Sequence, residues 1–310
     1  VTPPTLPRWP VALSVAAAVL TIGMKTAAYA LTGSVGLLSD ALESGVNLLA
    51  ALTAYLSLGY AARPADPGHT YGHEKIEYFS SGLEGVLIVL AGVGTAAYAV
   101  RRLVRPEPLE DLGLGTGIAL AAAAVNFAVA RVLLAYGREH RSIVLEADGK
   151  HLMSDVWTTA GVVAGLGLVA VTGRPELDSL VAVAVGLHIC WTGIGLVHRS
   201  FDGLMDHALP AADQEVIRRV IGGALPPGAA FHALRTRQAG SRRFAEFHLL
   251  VDGDWPVREA HRLAHRVADA LAAAVPGLEV VTHVEPVDER GSWEPEYLKR
   301  LGEPEGPDGR

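Results

Sequence analysis

His151-Leu152-Met153-Ser154-Asp155 lies inside an otherwise apolar run from about Ile143 to Val171. Residues four apart on a helix share a face and stand roughly 6 Å apart along its axis. The spacing therefore aims an imidazole and a carboxylate the same way, from a segment long enough to cross a bilayer. Ionisable groups in such a segment are costly, and they usually face a partner or a polar path. Two readings stand at this point. Either the His–Asp pair only locks helices together, or it is part of a site that handles an ion.

Five further apolar runs are each long enough to cross a bilayer, which takes about 20 residues. They fall near 11–31, 36–60, 79–100, 112–136 and 178–198. Thr32-Gly33-Ser34 makes a hairpin link between the first two. The polar stretch from Ala61 to His73, marked by Pro64, Pro67, Gly68 and Gly72, reads as a water-facing loop. Arg101, Arg102 and Arg105 close the third run, and Gly173-Arg174-Pro175 separates the fifth from the sixth. The first run lacks a small-residue cleavage pattern and is followed by more spans, so it reads as a transmembrane helix rather than a signal peptide. Six spans return both termini to one side. With that side cytoplasmic, Arg8, Arg63, Lys75, Arg138, Arg141 and Arg199 lie inside, against Arg101, Arg102, Arg105 and Arg174 outside. That bias agrees with the positive-inside rule. The expectation is a multi-pass protein of the cell (inner) membrane with cytoplasmic N- and C-termini.

The bulk composition fits a membrane part joined to a soluble part. The 310 residues are 50% hydrophobic and carry a net charge of −7, with a mean hydropathy of +0.29. No Lys/Arg-rich run stands out, so nucleic acid is not an expected partner. Cys190 is the single cysteine, which rules out an intramolecular disulfide and a Cys-based zinc site. After about Phe201 the pattern changes. Residues 211–225 read as an amphipathic helix, with Val216, Ile217, Val220 and Ile221 on one face. Residues 231–238 and 244–252 read as a hairpin of strands, 257–275 as a helix, and 280–287 as a third strand. The order αββαβ predicts a small two-layer α+β domain. The expected organisation is a six-helix transmembrane domain over 1–203, an α+β domain over 204–290, and a charged, Gly/Pro-rich disordered tail over 291–310.

The second apolar run carries Asp40, Glu43, Ser44 and Asn47. Glu43 and Asn47 are again four apart and share a face. Together with His151 and Asp155 they supply four candidate ligands from two helices, the number a roughly tetrahedral divalent site needs. The histidine favours zinc or another imidazole-binding transition metal over magnesium or calcium. The competing reading is helix–helix hydrogen bonding, in which Asn takes part readily. Lys25 and Glu84 offer a pore lining or an ion pair, and His188 reads as a hydrogen-bonded core histidine.

Gly33-Ser34-Val35-Gly36-Leu37-Leu38-Ser39-Asp40-Ala41-Leu42-Glu43-Ser44 resembles the second span of the cation diffusion facilitators. His151 to Asp155 matches that family's HxxxD signature on the fifth span, and the αββαβ region resembles its metallochaperone-like cytoplasmic domain. The resemblance runs from about Val11 to Val287. It implies a homodimeric secondary transporter that exchanges cytoplasmic divalent metal for protons, with Zn²⁺ first and Fe²⁺, Cd²⁺, Co²⁺ or Mn²⁺ as other cargoes. It implies a transport site at Glu43, Asn47, His151 and Asp155. Zinc and iron members usually carry Asp, or His and Asp, on the second span. Manganese members use Asn there but generally Asp at the position of His151, so His151 keeps zinc ahead.

Asp66-x2-His69-x3-His73 matches a second family metal site in the loop after the second span. His232, His248, His261, His283 and Glu285 fall where the family builds a paired zinc site across the C-terminal domain and its dimer contact. His265, one turn after His261, is either a further ligand or exposed. Lys75 and Asp206 stand at positions resembling the family's charge interlock. The alternative function is a membrane-bound metal sensor or storage protein without net transport. An intramembrane hydrolase fits poorly, because HxxxD lacks the second histidine and the glutamate of HExxH and no serine nucleophile elbow occurs.

Overall fold

The computed structural model describes residues 8–32, 35–105, 114–174 and 176–293. Each apolar run is one helix: α1 (Trp9–Thr32), α2 (Val35–Ala61), α3 (Ile76–Val104), α4 (Leu114–His140), α5 (Ile143–Thr172) and α6 (Glu176–Leu204). In five of them a stretch is long and apolar enough to cross a membrane, and α2 contains the shorter apolar stretch Asn47–Ala61. The helix ends follow local chemistry. Ser142 caps α5 by accepting from the Leu145 N–H at 3.5 Å, and Gly173 ends it at φ 70°, a left-handed conformation that glycine adopts without steric cost. Arg101 and Arg102 occupy the last turn of α3, where positive charge suits the helix dipole.

Two packing modes organise the membrane domain. Val11, Ala54, Leu58, Leu133, Val144, Leu145 and Leu152 form one apolar core that joins α1, α2, α4 and α5. The other mode is a close approach of α3 and α6 through facing glycines. A Cβ at Gly92 would stand 2.8 Å from the Gly186 carbonyl, and one at Gly193 would stand 2.9 Å from the Gly85 carbonyl. Within a bilayer no hydrophobic force drives helices together, so small residues that admit backbone contact supply the attraction. Ile88 of α3 and Ile189 and Leu196 of α6 then pack on Ile143 and Ala147 of α5. α5 thus belongs to both groups and forms the seam between them.

The chain divides into two compact units, one ending at Leu204 and the other starting at Met205. The second comprises α7 (Ala211–Ala224), β1 (Ala230–Ala239), β2 (Arg242–Val251), α8 (Val257–Ala274) and β3 (Leu278–Pro286), followed by a short 3₁₀ turn, Arg290–Ser292. The sheet order is β1-β2-β3. β1 runs antiparallel to β2, while β3 runs parallel to it because α8 carries the chain back. Ile217 and Ile221 of α7 and Ala260, Leu263, Val267 and Leu271 of α8 cover Ala245, Phe247, Leu249 and Val251 of β2. Side chains alternate along a strand, so His248 points to the other face. On that face His232, His248 and His283 stand in one cross-strand row. The β1–β2 register shifts just after His232, and Ala233 there has φ 55°, a bulge in which one strand gains a residue.

The stretch expected to be disordered begins as folded chain. Ser292 Oγ donates to the Pro286 carbonyl at 2.8 Å and the Trp293 indole donates to that of Val287 at 2.9 Å. These bonds hold residues 291–293 against the end of β3; residues 294–310 lie outside the described residues.

The α3–α6 contact leads to a paired prediction. Gly193→Leu should destabilise the membrane domain by about 1–3 kcal/mol or more, the usual cost of overpacking. Gly94→Leu, on the same helix pair but with no atom within 4 Å of an added Cβ, should leave it nearly unchanged. Thermal unfolding of the two purified variants in detergent makes the comparison.

Candidate metal centres

In the membrane domain the side chain of Asn47, on α2, reaches across to α5 and joins both members of the HxxxD pair. Its Oδ1 lies 2.7 Å from His151 Nε2, and its Nδ2 donates to Asp155 Oδ2. Asn47 is 4% exposed and His151 5%. An amide oxygen only accepts, so in this arrangement His151 carries its proton on Nε2. Its Nδ1 is buried without a hydrogen-bond partner among the described residues. The side chain of Glu43, one turn before Asn47, lies outside the described residues, as does that of Asp40.

Asn126 was not among the sequence candidates. It sits on α4, 4% exposed, and donates from Nδ2 to the same Asp155 Oδ2 at 3.1 Å. Two amides therefore fix one carboxylate oxygen, while Asn126 Oδ1 has no partner among the described residues. The sequence signal was present: a single amide follows Ala121-Ala122-Ala123-Ala124-Val125 in an apolar run. Such a residue is a functional or packing polar group by default.

The loop between α2 and α3 brings Asp66, His69 and His73 together, with one ligand atom from each lying within 4.8 Å of the others. Asp66 Oδ1 accepts from the backbone N–H of His69 at 2.7 Å and of Gly68 at 2.8 Å, which closes the turn. Its Oδ2 lies 3.2 Å from His73 Nε2. The His69 N–H, above the smaller opposing effect of burial, holds the Asp66 carboxyl below the usual carboxylate range, so it stands ready as an anion. His73 is buried and packs edge-on against Tyr60, whereas Asp66 and His69 are exposed. One side of this set is open to solvent.

The C-terminal domain forms a tighter set. His232 Nε2 lies 3.0 Å from Glu285 Oε2 and 3.2 Å from His248 Nδ1, and His248 Nδ1 lies 2.9 Å from Glu285 Oε1. His283, more exposed, reaches Glu285 Oε1 at 3.4 Å. The cause is sheet register: the three histidines occupy one row, and Glu285, two residues past His283, shares the face. Burial holds the His248 imidazole below its ordinary range, against the opposing pull of Glu285. A neutral imidazole offers the lone pair a metal requires. The Trp293 ring stands edge-on to His232, with centroids 5.3 Å apart.

His261 is not brought to this set within one chain. It lies on α8, which covers the opposite face of the sheet, and its ring neighbour is His265, 4.4 Å away between centroids. Lys75 Nζ donates to the Leu204 carbonyl at 3.4 Å, and Asp206 Oδ1 pairs with Arg237 at 3.5 Å, each within its own unit. His188 stacks edge-on with Trp157.

A helical unit with apolar spans and a largely buried Asn–His–Asp set, followed by an α+β unit whose His/Glu set could hold a metal ion, defines an integral membrane protein with candidate metal ligands in both parts. Comparison with known sequences gives the class its name. Residues 11–205 match the family described as cation efflux transmembrane domain, and 209–287 the cation efflux protein, cytoplasmic domain. An uncharacterised transporter of Synechocystis sp. is 48% identical over 282 residues, covering 91% of each chain. The cation-efflux pump FieF of Klebsiella pneumoniae is 32% identical over 275 residues, 89% of this chain and 90% of the pump. Among solved structures, the zinc form of the putative zinc transporter CzrB is 49% identical, covering 27% of this chain and 97% of that one at a TM-score of 0.26. The metal-bound C-terminal domain of the Thermotoga maritima CzcD transporter is 26% identical, covering 26% and 98% at 0.23. The chain belongs to the cation diffusion facilitator family and is a membrane transporter of the cation-efflux type.

With a metal held at Asp155, Asn126 would act on it through that carboxylate, as groups outside the ligand sphere orient ligands. Asn126→Ala should therefore weaken zinc binding in the membrane domain by roughly 10–100-fold, the usual loss for such a partner. Titration calorimetry on protein lacking the loop and C-terminal histidines measures it.

Proposed function

We propose that the protein exports a divalent transition metal, Zn²⁺ before Fe²⁺, Cd²⁺, Co²⁺ or Mn²⁺, from the cytoplasm in exchange for protons. Transport is by alternating access in a homodimer of the inner membrane, with both termini cytoplasmic. The observation that carries this reading is the 2.7 Å contact of His151 Nε2 with Asn47 Oδ1, beside Asp155 on the same amide. A metal takes Nε2 when the ring is neutral with its one proton on Nδ1, whereas the imidazolium holds protons on both nitrogens, so metal and the second proton compete for the ring. Metal arriving from the cytoplasm displaces that second proton, and protonation on the far side displaces the metal. Glu43, Asn47, His151 and Asp155 are the proposed ligands, with Asn126 orienting Asp155. With a neutral His151, Glu43 and Asp155 give the set a charge of −2, which balances one M²⁺. The resemblance of the chain to cation-efflux pumps such as FieF supports efflux as the direction.

Asp155→Ala should abolish metal flux in sealed vesicles while leaving a folded dimer, because it removes the carboxylate that both amides hold. Zinc uptake into vesicles with and without an imposed pH gradient is the measurement. Near-normal flux in the variant would overturn the site, and no flux in the native protein would leave a metal sensor or store.

The loop set Asp66, His69 and His73 and the C-terminal set His232, His248, His283 and Glu285 are proposed as further metal sites. His261, on the far side of its own sheet, is supplied to the C-terminal set by the second copy of the chain. Metal bound between two copies then favours their closed arrangement, since its affinity is complete only there. Small-angle scattering of the C-terminal domain dimer should show compaction on adding zinc; an unchanged profile removes this regulatory step.

A further inference from the structure

Two carboxylates of the membrane domain take no part in the sets above. Glu84, on α3, is fully buried, and neither of its oxygens has a hydrogen-bond partner among the described residues. Asp148, on α5, is 1% exposed; its Oδ1 accepts from Ser14 Oγ at 3.0 Å, and its Oδ2 has no partner among them. Ser142 of α5 donates to Glu77 of α3 at 3.0 Å, and from that contact Glu84 lies two turns along α3 and Asp148 nearly two along α5, which puts the two carboxyls at one depth on neighbouring helices. Ser80, four residues before Glu84 and so on the same face of α3, has a buried hydroxyl that is also without a partner there.

The other ionisable groups on the packed helices have contacts of their own. Glu77 accepts from Ser142, Glu146 holds Arg199 at 2.7 Å beside Lys150, and His151 meets Asn47. Lys25 on α1 also has an interaction of its own. A buried acid kept for structure is held by hydrogen bonds, and a charged one by a cation. Glu84 has neither. Two carboxylates at one depth on neighbouring helices in an apolar medium resist ionising together, because their repulsion adds to the loss of hydration at each. They retain a proton as one coupled unit.

We propose that Glu84 and Asp148 form a second proton-carrying site of the membrane domain, distinct from the metal ligands. Asp148, His151 and Asp155 are spaced i, i+3, i+7 and lie along one face of α5, so the carboxylate pair stands one turn from His151 toward the N-terminal end of the helix. The pair also spans the seam between α3 and α5, where the two helix groups meet. A divalent ion bound at His151 and Asp155 places its charge a turn away and drives the proton off the pair. Metal binding thus releases a proton from atoms that never touch the metal. This role in exchange rests on the proposed function, whereas the shared proton does not.

Infrared difference spectra of the full-length protein in lipid vesicles, taken on adding Zn²⁺ at neutral pH, test the proposal. The native protein should lose a protonated-carboxyl C=O band, and that band should be absent in both Glu84→Gln and Asp148→Asn. Protons released on zinc binding, read with a pH-indicator dye, should fall by about one per zinc in each variant. A band that persists in the variants, or an unchanged proton count, overturns the site. Should Glu84→Gln fail to fold, Asp148→Asn decides both readouts. Absence of zinc flux in the native protein would sink the transport reading alone, because the band and the proton count are measured on binding.

Discussion

The amide of Asn47 is the link on which the membrane domain's chemistry turns. It reaches from α2 to α5 and occupies His151 with one end and Asp155 with the other. In water such a contact would be worth little, because each group has solvent as an alternative. Inside the bilayer there is no such alternative, and an unmet polar group there is expensive. One side chain thereby fixes the separation of two helices, the tautomer of the imidazole and the direction of the carboxylate. Asn126 adds a third helix to the same oxygen.

The same domain is put together from two unlike contacts. α1, α2, α4 and α5 interlock through large aliphatic side chains, while α3 and α6 approach backbone to backbone over Gly85, Gly92, Gly186 and Gly193. The glycine contact makes α3 and α6 a stiff pair. α5, shared by both groups, carries Asp148, His151 and Asp155 along one face. A rearrangement between the groups therefore acts directly on the helix that bears the chemistry.

In the C-terminal domain the candidate ligands are assembled by sheet geometry. His232, His248 and His283 are far apart in the chain, yet pairing of β1 with β2 and β2 with β3 places them in one row. The bulge at Ala233 absorbs one extra residue of β1, so both His232 and Arg235 still pair with residues on the outer face of β2. The helices on the inner face make the fold stable by burying Phe247 and Leu249, and they leave the outer face free for polar side chains.

The sequence by itself determined what depends on local periodicity. Runs of apolar residues gave six helices, the αββαβ order followed from alternation and helical spacing, and four-residue spacing put His151 with Asp155 on one face. The loop set and most of the C-terminal set were legible for a similar reason, through short spacing or strand position. What depends on which elements meet was not legible. Asn126 follows a run of apolar residues, and nothing in its neighbours says that it faces Asp155. His261 has suitable chemistry for the C-terminal set, yet α8 packs on the opposite face and holds it away. The stretch from Gly291 reads as disordered, but the backbone carbonyls of Pro286 and Val287 capture Ser292 and Trp293. In each case the deciding partner is remote in sequence or lies on another element, and only packing brings it within hydrogen-bonding or electrostatic range.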